Sequence, residues 1–137
     1  MKMKLEEMSK MEVGSNFLRF DNGFEFTFQI VNFEPEEVEK DYQGKKAGSK
    51  FQWKILLKAI SIVNKKITDY IQETNKEKYE KILSQELNKN YLLELPKTAS
   101  KELAIFCLEN QIKISNSIKM SRTGEKSSTK YLFNKNE

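Results

Sequence analysis

The stretch Ser117–Phe133, SIKMSRTGEKSSTKYLF, sets how the chain closes. A strand-like run holding Ile118 and Met120 leads into Arg122-Thr123-Gly124. A polar segment, Glu125–Ser128, separates it from a second strand-like run, Thr129–Phe133. The spacing predicts a terminal hairpin. It concentrates one of the chain's two arginines, three lysines, a set of hydroxyl side chains and Tyr131. Arg122 offers a planar, permanently charged fork suited to phosphate oxygens or to stacking on a base. Thr123, Ser127, Ser128 and Thr129 supply short hydroxyl donors of the kind that contact phosphate and sugar. Gly124 lets the backbone turn and approach a ligand closely. On composition alone, a plain hydrophilic turn fits equally well.

Upstream of this hairpin, YLLEL (91–95) reads as a short strand stopped by Pro96. KTASKELAIFCLENQ (97–111) reads as an amphipathic helix with Ala99, Leu103, Phe106 and Cys107 inward and Lys101 and Glu102 outward. Residues 67–88 are strong helix formers, and Tyr79, Ile82, Leu83 and Leu87 fall on one helical face. In FQWKILL (51–57), Phe51, Trp53, Ile55 and Leu57 alternate with polar residues as in a strand. AISIV (59–63) either extends that strand or begins a helix. Residues 34–50, with Pro35, Gly44, Gly48 and no apolar periodicity, are predicted as a long loop. NFLRF and FEFTFQIVNF flank Asp21-Asn22-Gly23 and are predicted as a hairpin, with Phe24, Phe26, Phe28 and Ile30 on the core side. Residues 1–13 are expected to form a frayed helix or a disordered lead-in. The expected order is three strands, a helix, a strand, a helix and two strands.

A chain of 137 residues is expected to form one domain, over 14–133, with 134–137 as a short tail. Its formal net charge of +4 is unevenly spread. Residues 1–50 carry eight basic and ten acidic side chains, against sixteen and ten in residues 51–137, so a polyanion is drawn to the second part. There is no histidine and one cysteine, Cys107, which excludes histidine acid–base chemistry and the usual Cys/His zinc sites. No phosphate-binding glycine loop is present. The acidic cluster Glu34, Glu36, Glu37, Glu39 and Asp41 reads as a solvated charge run rather than a magnesium site. Neither catalysis nor a cofactor is expected. No apolar run approaches a membrane span, the N-terminus lacks a signal-like apolar segment, and no internal disulfide is possible. A cytoplasmic setting is therefore expected.

The remaining signal is aromatic and basic. Binders of single-stranded nucleic acid combine aromatics on which bases stack with a cationic groove that tracks phosphates. Trp53 lies beside Lys54 and near Lys50 and Lys58, while Lys126, Lys130 and Lys135 surround Tyr131. Trp53 also shares its face with Phe51, Ile55 and Leu57, so a core position and an exposed stacking position are both open. Leu132 takes the opposite face from Tyr131, so one of the two packs while the other is exposed.

LELPKTASKELAIF and IKMSRTGEKSSTKYLF together resemble the C-terminal half of small OB-fold single-stranded DNA-binding proteins of phages, archaeal viruses and related mobile elements. Leu95, Pro96, Lys97, Thr98, Arg122, Thr123, Gly124, Thr129 and Tyr131 fall on the matching positions. The FLRF, DYQGK and Trp53 segments are similar to the early part of that group. Position 126 is Lys where the pattern has glycine, and 59–90 is a longer helical insertion. The resemblance implies an α+β fold, mainly an antiparallel β-barrel of OB type with an inserted helix and a capping helix. It implies binding of single-stranded DNA with little sequence preference. Trp53 and Tyr131 would stack on bases, and Lys50, Lys54, Lys97, Arg122, Thr123, Lys126 and Lys130 would contact the strand. RNA remains open as the ligand, because stacking platforms accept every base. A different class also remains open: a non-catalytic viral or plasmid interaction module assembling through the 67–88 helix.

Overall fold

Four alternate side chains of one strand, Phe24, Phe26, Phe28 and Ile30, are all essentially buried and form the centre of the core. The structure, a computed structural model, describes residues 17–42, 45–124 and 128–136, and the lead-in expected over 1–13 lies outside them. Its elements are β1 (Phe24–Tyr42), β2 (Lys45–Ile62), α1 (Lys65–Thr74), α2 (Lys76–Leu83), β3 (Lys89–Pro96), α3 (Lys97–Glu109), β4 (Ser117–Thr123) and β5 (Lys130–Asn136). The five strands form one antiparallel sheet in the order β3-β2-β1-β4-β5. The fold is therefore α+β, with one helix pair inserted between β2 and β3 and one helix between β3 and β4.

The inner face follows from period two. Ile55 and Leu57 of β2, Leu93 and Leu95 of β3, and Ile118 and Met120 of β4 are fully buried against the β1 phenylalanines. At roughly 1.5–3 kcal/mol per large apolar side chain, this face dominates the favourable side of folding. Helix α3 covers it with Ala99, Leu103 and Cys107, while Lys101 and Glu102 point to solvent. Burial pushes the Cys107 thiol up to about 11, so it is a small core residue and no nucleophile at neutral pH. No helix among the described residues is long and apolar enough to cross a membrane.

Three expectations are corrected. Residues 17–20 do not pair with the adjoining part of β1, because over Glu25–Gln29 both of its edges are taken, by β2 and β4. They run instead along the outer edge of β3: Phe17 bridges Leu92 in parallel, and the Leu18 N–H donates to the Leu92 carbonyl at 2.8 Å. Gln85 holds this segment from the other side, accepting from the Arg19 N–H and donating to the Arg19 carbonyl. Asp21-Asn22-Gly23 does turn the chain, with Gly23 at φ +89°. A Cβ there would lie 2.8 Å from Thr68 Cγ2, so the glycine also lets α1 pack closely.

The loop predicted over 34–50 is two paired strands. β1 and β2 remain in register out to Tyr42↔Lys45, with bulges at several points. This outer half of the hairpin has no apolar alternation, and no helix or further strand among the described residues packs against it. Glu34, Glu36 and Glu37 are exposed there.

The single helix predicted over 67–88 is broken at Asn75, whose backbone leaves the helical region at φ −150°, ψ 74°. Its N–H closes α1 on the Ile71 carbonyl, and its side chain accepts from the Lys78 N–H at 3.2 Å to start α2. Asparagine is a strong N-cap, and this break is what its side chain favours. The expected apolar face divides accordingly. Ile82 is 1% exposed and Tyr79 packs on Phe24, while Leu83 and Leu87 face solvent. β2 resolves the ambiguous AISIV segment as strand as far as Ile62.

Candidate nucleic-acid interface

Position along β2 decides the fate of its aromatic. Trp53 shares the inner parity of Ile55 and Leu57, and at 2% exposure it is part of the core. Its indole N–H donates to Ser100 Oγ of α3 at 2.9 Å, which satisfies the one polar group the ring carries into the interior. This corrects the expectation that a base stacks on Trp53. No ring face is left for one.

Lys54 takes the opposite parity and is exposed on the outer face of β2. It stands across from Leu92 on β3 and Asn32 on β1. Beside it on that face, Gln52 donates to Glu94 Oε2 at 3.1 Å. Lys50 pairs with Pro96, the residue before Lys97. The start of β2 and the start of α3 are thereby brought side by side.

The closing hairpin forms as expected, and its register sorts the named side chains onto two faces. Arg122 stands opposite Tyr131, and Thr123 stands opposite Lys130. Arg122 and Lys130 therefore lie on different faces. Arg122, Tyr131 and Phe133 continue the inner face of Ile118 and Met120, whereas Thr123, Lys130 and Leu132 face outward. Between Tyr131 and Leu132, the tyrosine packs and the leucine is 56% exposed. The Tyr131 ring lies nearly parallel to Phe133 with centroids 6.5 Å apart, and edge-on to Phe20 at 6.2 Å. Burial raises the Tyr131 phenol pKa, partly offset by the Arg122 charge. Arg122 Nε is buried and has no hydrogen-bond partner among the described residues.

Gly124 ends β4 at φ +82°, and a Cβ there would overlap the Ser128 carbonyl. Its own carbonyl accepts from Asn22 Nδ2 at 2.9 Å, tying the hairpin to the turn before β1. Lys126 lies outside the described residues.

These placements converge on the start of α3. A cavity of about 260 Å³ lies there, lined by Pro96, Thr98 and Glu102 on one side and Thr129, Lys130 and Tyr131 on the other. Lys97, the first residue of α3, is exposed beside it. Pro96 occupies the N-cap and supplies no capping side chain, and no acidic residue lies in the first turn. A helix start in this state favours an anion. Lys130 and Tyr131 of β5 thus meet the start of α3 at this cavity, with Lys97 beside it, Lys50 on the ladder next to Pro96, and Arg122 across the hairpin from Tyr131. Lys54 lies further along β2, and Trp53 is not part of the group. Sequence reasoning missed Phe20 and Phe133 as the rings that position Tyr131. Phe133 was accessible from its two-residue spacing to Tyr131; Phe20 was hidden by its assignment to a hairpin. No protein-family model, curated protein or solved structure matches the chain.

Proposed function

We propose that the chain binds single-stranded DNA with little sequence preference, using the junction of β2, β3, α3 and the closing hairpin. The observation that carries this reading is the convergence of Lys50, Lys97, Lys130 and Tyr131 around the uncapped start of α3. Cations that track phosphates beside an aromatic that accepts any base are what sequence-tolerant single-strand binding needs. Arg122 adds a planar cation across from that aromatic.

The strand order supports the finer fold reading, an OB-type barrel. Curling the order β3-β2-β1-β4-β5 brings β3 towards β5. Residues 17–20 lie between these strands, with Leu18 bonded to β3 and Phe20 against Tyr131 of β5. In OB domains, oligonucleotides bind across the second and third strands and the flanking hairpin loops. Here that region holds Lys50, Lys54 and the 124–129 turn. The rival reading, assembly through the 67–88 helix, loses support because Ile82 and Tyr79 of that face are committed to the core.

Because Trp53 is buried, its emission reports folding rather than contact, so the label belongs on the oligonucleotide. In anisotropy titrations, oligo-dT is expected to bind at least about tenfold tighter than duplex of the same length. Equal affinity for both would reduce the reading to unspecific charge attraction, and preference for oligo-U would make RNA the ligand.

Arg122→Ala addresses the phosphate contact separately. For single strands, log affinity falls with log salt by about 0.7 per phosphate neutralised. The variant is expected to be shallower by about that amount. A parallel downward shift at all salt concentrations would mean that Arg122 acts by stacking or by bracing the hairpin.

A further inference from the structure

Among the described residues, the outer part of β1 and the outer edge of β5 have no ladder partner, and they carry opposite charge. The outer edge of β3 is occupied by Phe17 and Leu18. The ladder between β1 and β4 ends at Gln29↔Ser117. Beyond it, β1 runs on to Tyr42 with β2 on one side and, among the described residues, no ladder partner on the other. Exposed Glu34, Glu36 and Glu37 line this edge. The outer edge of β5 likewise has no ladder partner among the described residues. It carries exposed Lys130 and Lys135, and its span from 130 to 136 contains no acidic residue.

Each edge also presents apolar surface. Phe33 is 38% exposed at the root of the free β1 edge, where it and Ile114 flank an open groove of about 810 Å³. On β5 the matching feature is Leu132. An unpaired strand edge is a template for another strand, and proteins commonly control which strand by charge. Pairing β1 edge to β1 edge would set glutamates against glutamates, and pairing β5 to β5 would set lysines against lysines. Only the mixed pair joins opposite charges.

We infer that a second copy of this chain docks its β5 along the free edge of β1 beyond Gln29. Run antiparallel, Lys130 and Lys135 then bracket the Glu34–Glu37 row, Lys130 near Glu37 and Lys135 near Glu34. Pro35 lacks an N–H and removes one ladder bond, which edge strands tolerate. Because the donor and acceptor edges are different patches of the molecule, the contact is heterologous and repeats head to tail. This assembly needs no nucleic acid to form, and it shares Lys130 with the proposed binding junction.

Sedimentation and light scattering without nucleic acid test it. The average mass is expected to rise with protein concentration and to fall with added salt. Glu36→Lys with Glu37→Lys in one chain, and Lys130→Glu with Lys135→Glu in another, should each weaken self-association about tenfold or more. Mixing these two variants should restore growth, since the intact β5 of the first fits the intact β1 of the second and the two reversed edges again carry opposite charges. A chain carrying all four reversals should assemble as the parent does. A parent that stays monomeric at every concentration overturns the inference. So does a dimer indifferent to either pair of reversals, or one disrupted by the β1 reversals but not by those on β5, which would give the acidic edge a different occupant. Circular dichroism on each variant separates lost assembly from lost fold, because all four side chains are exposed.

Discussion

Trp53→Ala is expected to cost the fold about 3–5 kcal/mol, which is a large part of the roughly 5–15 kcal/mol available to a domain. The ring fills the space between β2 and α3 and is 2% exposed, so its removal leaves a cavity that the sheet cannot collapse to fill. Ser100, itself buried, also loses the indole N–H it accepts from. Trp53→Phe is milder: it keeps one aromatic ring in place and loses the rest of the indole with its hydrogen bond, so its cost should fall clearly below that of the alanine variant. Urea unfolding of the three proteins measures both steps. The phenylalanine variant, folded, should bind oligo-dT like the parent. Weakened binding with its fold intact would return Trp53 to the interface, and parent-like stability in the alanine variant would contradict its place in the core.

The same residue shows where sequence reading reaches and where it stops. Alternation in 51–57 determines that Trp53, Ile55 and Leu57 share a face, but periodicity alone does not say which face has a partner layer. The partner is α3, and the contact that fixes the assignment, Ser100, lies 47 residues away in the sequence. The helix over 97–109, the strand ending at Pro96 and the closing hairpin were legible because each is a local pattern with its own stop signal. The outer half of the β1–β2 hairpin was not. Exposed strands carry no apolar alternation, so Glu34, Glu36 and Glu37, all exposed, read as loop. The segment at 17–20 failed for a different reason. Its turn signal was real, but the stretch of β1 next to that turn, Glu25–Gln29, had both edges taken.

Within the candidate site, sequence named the chemistry and the structure set the geometry. Arg122 and Tyr131 are nine residues apart and could have stood on either face; the turn register puts them opposite one another. Lys50 and Lys97 have no sequence relation. They come together because Lys50 pairs with Pro96, so a β2–β3 ladder places a strand lysine beside a helix start. Lys130 reaches the same place from the last strand.

Tyr131→Leu is expected to weaken binding of oligo-dT by about 1–3 kcal/mol, or roughly 5- to 150-fold in affinity. The ring is held on one side by Phe133 and at its edge by Phe20, a pairing that fixes its plane before any strand arrives. Such fixing makes a stacking surface efficient, since little side-chain freedom is lost when a base settles on it. Leucine keeps apolar contact with Phe133 and Phe20, so the loss of stability should stay under about 1.5 kcal/mol. Tyr131→Phe keeps the ring and is expected to bind as the parent does, because stacking uses the ring face rather than the phenol. Thermal midpoints measured alongside the titrations distinguish a weakened site from a loosened hairpin. If the leucine variant bound as tightly as the parent, the ring would serve only to pack the hairpin. Binding at this junction would then rest on Lys50, Lys97, Lys130 and Arg122, and duplex and single strand would be told apart by charge spacing alone.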